Sequence, residues 1–138
     1  ITMANTTFTG PVRSENGFQD ITKNETTGAI TSNAAYGKAI RGGVQQLSGA
    51  GAADTTNLIT ELTTAAGAAA VTLADGTTAG QIKIITMVVD GGGTATVTPA
   101  TFANGTSMAF ADVNDTVMLA WANTIGWVIV SNSGATVA

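Results

Sequence analysis

Histidine and cysteine are both missing from the 138 residues. Without them there is no Ser-His pair, no imidazole base, no thiolate nucleophile and no His/Cys zinc site, and disulfides contribute nothing to stability. Charge is also scarce. Only 10% of residues are charged, against roughly 25% in an ordinary soluble domain, so most of the surface is Thr, Ala, Gly and Asn. The five basic residues, Arg13, Lys23, Lys38, Arg41 and Lys83, are dispersed in a chain of net charge −4. With no basic cluster to neutralise phosphates, no nucleic-acid partner is expected. Aromatic residues make up 5%, so the available core is thin and built mainly from Val, Ile, Leu and Met. No apolar run approaches the ~18 residues of a membrane span, and no membrane partner is expected. The N-terminus lacks the basic and apolar regions of a signal peptide. Met3-Ala4-Asn5-Thr6-Thr7 reads as a natural start, with Ile1-Thr2 upstream of it.

What the chain does contain is a series of strand-length runs, each followed by a turn signal. Val71-Thr72-Leu73-Ala74 ends in Asp75-Gly76. The run from Gln81 to Val89 ends in Asp90-Gly91-Gly92-Gly93, and Thr94 to Thr98 ends at Pro99. Ser107 to Phe110 is a further short strand. Thr116 to Trp121 and Trp127 to Val130 are joined by a connection of hairpin length. Leu58 to Thr64 reads as a strand from its Thr content, and Gly67 turns the Ala-rich stretch after it into a turn. The expected fold is all-β: a small antiparallel β-sandwich or barrel-like module over residues 54–138, preceded by an extended N-terminal arm.

The arm and its joint are expected over residues 1–53. From Phe8 to Gly43 large apolar residues are too widely spaced to close a core, and Gly10-Pro11, Asn16-Gly17, Thr27-Gly28 and Gly42-Gly43 interrupt the segment. Phe8, Phe18 and Tyr36 are single anchors of a kind that a solvated tail would not use. The segment therefore reads as an arm that orders on neighbouring subunits, and Ser48 to Ala53 reads as its flexible joint. Phe8, Arg13, Phe18, Tyr36 and Arg41 are the candidate contact residues.

Other candidates for chemistry each have a structural reading. Asp75, Asp90, Asp112 and Asp115 have the residue type of an acid/base pair, but their places beside Gly or Asn at strand ends suit turn formers better. Asp112, Asn114 and Asp115 put three hard oxygen donors in four residues, as a Ca²⁺ ligand set would. No EF-hand spacing follows, so they too read as a turn. Gly91-Gly92-Gly93 runs on into a strand rather than a helix, which favours a tight turn over a phosphate loop. Trp121 and Trp127 are the residue type that stacks on sugars, yet their positions across a hairpin favour core packing. No catalytic residue, metal ligand or cofactor is expected.

Two stretches carry a resemblance. Met3-Ala4-Asn5-Thr6-Thr7-Phe8 with the segment from Gly10 to Phe18 resembles the N-termini of virion structural proteins of tailed bacteriophages, particularly those of marine hosts. The stretch from Leu73-Ala74-Asp75-Gly76, through Gln81-Ile82-Lys83 and Thr96-Val97-Thr98-Pro99, to Gly126-Trp127-Val128-Ile129-Val130 looks like a small β module of such particles. The resemblance implies a non-enzymatic capsid decoration, or cement, protein on the virion surface, assembled in the host cytoplasm. Its implied partners are the major capsid protein and further copies of itself, as a homotrimer. A receptor-binding fibre, spike or adhesin module, and a filament subunit using its arm for strand exchange, are the competing readings.

Overall fold

Alternation of side chains is the sequence property that shapes this molecule. In a strand, successive residues face opposite sides, and Val71, Leu73, Val97, Leu62 and Met87 each alternate with a Thr or another outward residue along their strands. The computed structural model describes residues 18–24, 26–36 and 40–138, with side chains for 24, 26–29 and 42–138. Among them there are thirteen strands and no helix. The chain divides into two compact units, Ile1–Arg41 and Gly42–Ala138.

In the first unit, β1 (Phe18–Lys23), β2 (Ile30–Tyr36) and β3 (Ile40–Arg41) form one antiparallel sheet in that order. The β1–β2 connection is closed by Asn24, whose side-chain oxygen accepts the N–H groups of Thr26 and Thr27, both at 2.9 Å. Gly28 supplies the left-handed residue (φ +73°) that completes the turn.

The second unit contains β4 (Val44–Ser48), β5 (Gly51–Ala53), β6 (Ile59–Thr63), β7 (Ala69–Leu73), β8 (Ile82–Val89) and β9 (Ala95–Pro99). It continues with β10 (Met108–Phe110), β11 (Thr116–Ala122), β12 (Gly126–Ser133) and β13 (Thr136–Val137). Two five-stranded sheets result, ordered β12-β11-β8-β6-β4 and β13-β10-β9-β7-β5. From β4 to β9 the chain alternates between them, so that β4–β5, β6–β7 and β8–β9 are three stacked rungs. Each strand is therefore parallel to the one below it: β4 to β6 to β8, and β5 to β7 to β9. The last four strands add antiparallel pairs, β11 and β12 beside β8, β10 and β13 beside β9.

The all-β expectation holds, but the antiparallel and barrel expectations are corrected. Both sheets are mixed, because a strand that leaves through a corner and returns one level higher runs the same way as before, whereas a hairpin would reverse it. Each sheet is also open, ending at β4 and β12 or at β5 and β13, so no barrel closes. Ser48 to Ala53, expected to be a joint, instead form the corner between β4 and β5 together with β5 itself.

Corner chemistry holds the rungs in register. Thr64 N–H donates to Val89 O (3.0 Å), and Thr64 Oγ1 accepts from Gly91 N–H (3.2 Å). A Cβ on Gly93 would collide with the carbonyl oxygens of Gly67 and Ala65, so only glycine lets these two corners stack. Inside, the sheets share one core. Val71, Val97 and Met108 form an in-register row on one sheet, facing Leu62, Ile85, Met87, Val117 and Leu119 from the other. All eight are essentially without solvent contact, and each such burial is worth ~1.5–3 kcal/mol.

Candidate functional site

Of the five expected contact residues, Phe8 and Arg13 lie outside the described residues. The backbone brings the other three to one end of the small sheet: Phe18 is opposite Tyr36 across β1–β2, and Arg41 pairs with Ala35 across β2–β3.

The four aspartates expected as turn formers occupy corners. Asp115 is buried, and its Oδ2 accepts the N–H groups of Ala111 (2.8 Å) and Asp112 (3.0 Å). Asn114 beside it takes the left-handed conformation (φ +76°) that Asn tolerates in turns. Asp90 Oδ1 accepts Gly92 N–H at 2.7 Å, and Asp75 Oδ2 accepts from Thr101 Oγ1 at 3.2 Å. Among the described residues no three acidic side chains gather into a possible metal site.

Trp121 and Trp127 pair edge to face, with ring centroids 5.4 Å apart and planes at 63°. Trp127 is fully buried and Trp121 nearly so. Each indole N–H is engaged at 2.9 Å, Trp127 with Ala74 O and Trp121 with the Asn123 side chain. They form part of the core rather than a platform for a ligand.

Sequence reasoning missed the buried charge. Lys83 lies on β8 in phase with Ile85 and Met87, so its side chain enters the space between the sheets with 1% exposure. Its ammonium donates to Asn57 O at 2.9 Å and lies 4.0 Å from Asp54 Oδ1. Burial pushes the Lys83 pKa down, and the Asp54 charge offsets this only in part. Burial pushes the Asp54 carboxyl up, but hydrogen bonds from the Asn57 backbone and side chain, the Lys83 charge and the Thr56 hydroxyl outweigh it and hold it below its ordinary value. Gln45 completes this polar corner: its Oε1 accepts from Asp54 N–H and the Thr60 hydroxyl, both at 2.9 Å, and its Nε2 donates to Ala52 O at 2.8 Å. The even spacing of Lys83 from Ile85 and Met87 was the available signal.

The outer faces of the two sheets were also invisible without the register. One carries a row Ala52–Thr72–Thr98 and a row Ala70–Thr96–Ala109–Thr136. The other carries the rows Val44–Ile59–Ile84–Met118 and Ile82–Ala120–Val128. At one end of this second face, Gln46, Ser48, Glu61, Thr63, Val88 and Val89 line a trough of about 280 Å³, with Leu47 reaching it from the edge strand. Glu61 is its one titratable group.

The sequence matches no protein-family model, and no curated protein matches it either.

Proposed function

We propose that this chain is a non-enzymatic structural protein of a bacteriophage particle, and within that class a decoration protein that binds the outer surface of the head and stabilises it. The observation that carries this reading is the use made of charge in residues 42–138. Only seven side chains there are charged: Lys83 and Asp115 are buried, Asp54, Asp75 and Asp90 hold corners and turns, and Glu61 and Asp112 complete the set, so that most of the surface is small, hydroxylic or apolar. Such a surface suits attachment through many weak contacts, with avidity from many copies. The resemblance of residues 3–18 and 73–130 to virion proteins supplies the setting.

The test uses the full chain, purified and labelled, mixed with intact particles and with heads stripped of accessory proteins. Label distributed over the head shell, and co-sedimentation with stripped heads, is the expected result. Label confined to the tail would overturn the decoration reading in favour of a receptor-binding fibre.

A further inference from the structure

We infer that the outer face of the β12-β11-β8-β6-β4 sheet is a contact surface between copies of this chain. This deepens the decoration reading by naming a second copy as the partner of that face. Val44, Ile59, Ile84 and Met118 sit side by side across four strands in matched register, and Ile82, Ala120 and Val128 form the next row. Val44 (49% exposed) and Val130 (57%) extend the apolar surface to the two edge strands. Ile59, Ile82, Ile84, Met118 and Val128 are not part of the core cluster, in which Leu47 and Ile129 on the inner face of the same sheet do take part. All five are half-buried, and the apolar area they still expose lies on the side of the sheet away from this unit's core.

Size and charge identify that partner. Five strands at ~4.8 Å spacing and about six residues at ~3.3 Å rise give a footprint on the order of 500 Å². This approaches the ~800 Å² that each side of a standard interface buries. The face carries no lysine or arginine and one carboxylate, Glu61, so it offers nothing to phosphate or to an acidic surface. A sheet face of matched rows can pack on a second copy of itself, as sheets do in sheet-on-sheet packing. Glu61 does not block this. It lies one strand from the central β8, so a two-fold axis along β8 sets it over the partner's Thr116 instead of another carboxylate.

Met118 provides a built-in reporter, because thioether oxidation follows exposure. Met87 and Met108 are fully buried and serve as internal controls. The full-length protein is sedimented at low and high micromolar concentration, and peroxide oxidation of each methionine is followed by mass spectrometry. The expected result is an oligomer at the higher concentration, with Met118 oxidation slowed several-fold there and Met87 and Met108 unchanged. In the I59T/I84T double variant, self-association should weaken by about a hundredfold, with the near-ultraviolet signal of the Trp121–Trp127 pair intact. A monomer throughout, or an oligomer in which Met118 reacts as fast as in the monomer, overturns the inference. A monomeric chain that still binds head shells removes this inference alone, whereas an oligomer with protected Met118 that ignores shells removes the decoration reading alone.

Discussion

One sheet turns Ala52, Thr72 and Thr98 outward, where the other turns out Val44, Ile59, Ile84 and Met118. Their inner faces answer the same demand for close packing, one with Val71, Leu73, Val97, Met108 and Phe110 beside small alanines, the other with Leu62, Ile85, Met87, Val117, Leu119 and the two tryptophans. The outer faces answer to no such demand. Small side chains and hydroxyls on the first leave it easily hydrated. Branched aliphatics on the second keep ~25 cal/mol of unfavourable hydration for each exposed apolar Å², which packing against a second copy would remove. Where folding does not dictate a residue, the choice reflects what that surface meets.

The largest expected effect lies on the inner side, common to both sheets. Trp127→Ala removes a fully buried ring, its contact with Trp121 and its bond to Ala74 O. It should lower stability by about 3–5 kcal/mol, measured by denaturant unfolding. A loss below about 1 kcal/mol would mean the core is not arranged around this pair.

Next come the corners that set the register on which both outer rows depend. Gly93→Ala places a methyl against the Gly67 and Ala65 carbonyls and should cost about 1–3 kcal/mol. Gly67→Ala meets nothing within 4 Å and should stay within about 0.5 kcal/mol. Equal effects from the two would show that the corners do not stack as described.

Strands were legible in this chain, and so was the β11–β12 hairpin that sets Trp121 opposite Trp127, but the other strand partners were not. The runs at Val71, Gln81, Thr94, Ser107, Thr116 and Trp127 all became strands, because alternation and turn residues are local signals. The parallel stacking is not local. Ile59 pairs with Ile84 and Val71 with Val97, spacings of about 25 residues that hairpin reading passes over. The first rung was lost because Val-Gln-Gln-Leu-Ser and Gly-Ala-Ala hold little apolar area. Rows such as Val44–Ile59–Ile84–Met118 exist only once four strands are aligned. In β8, Ile82 and Ile84 point out while Lys83 and Ile85 point in, so a sheet that is apolar on both faces reads as one unbroken run.

The polar corner gives a smaller effect with a pH signature. Asp54→Ala strips the acceptor from the N–H groups of Thr56 and Asn57 and leaves Lys83 without its counter-charge. A loss of about 1–3 kcal/mol is expected, towards the lower end because Asp54 is one-third exposed. The Asp54 contribution is complete above the ordinary carboxyl value of 3.8 and is lost as pH falls through the lower folded value. Lys83 acts at the other end. Its folded pKa lies below 10.5, so between the two values the unfolded chain holds more protons, and stability should rise with pH across that window. In Lys83→Met the alkaline rise should vanish from the melting temperature. Its persistence would assign the rise to another group.

The smallest change in stability, and the sharpest test of the contrast between the faces, comes from grafting one onto the other. Thr72→Ile with Thr98→Ile extends two side chains of the Ala52–Thr72–Thr98 row outward, without touching the core-facing Val71, Val97 or Leu73. Both positions are exposed and both residue types favour strands, so the folding free energy should move by no more than about 0.5 kcal/mol. Association should respond instead. A second apolar face would let a chain already paired through Ile59 and Ile84 bind again on its opposite side, and two such contacts per chain give open-ended assembly rather than a closed oligomer. Light scattering per unit mass should therefore keep climbing with concentration in the grafted variant, whereas the parent levels off at its finite oligomer. Adding I59T/I84T to the graft should bring it back to a finite oligomer. If the grafted protein scattered like the parent, a row of branched aliphatics on this scaffold would not suffice for association, and the face that carries them naturally would need another explanation.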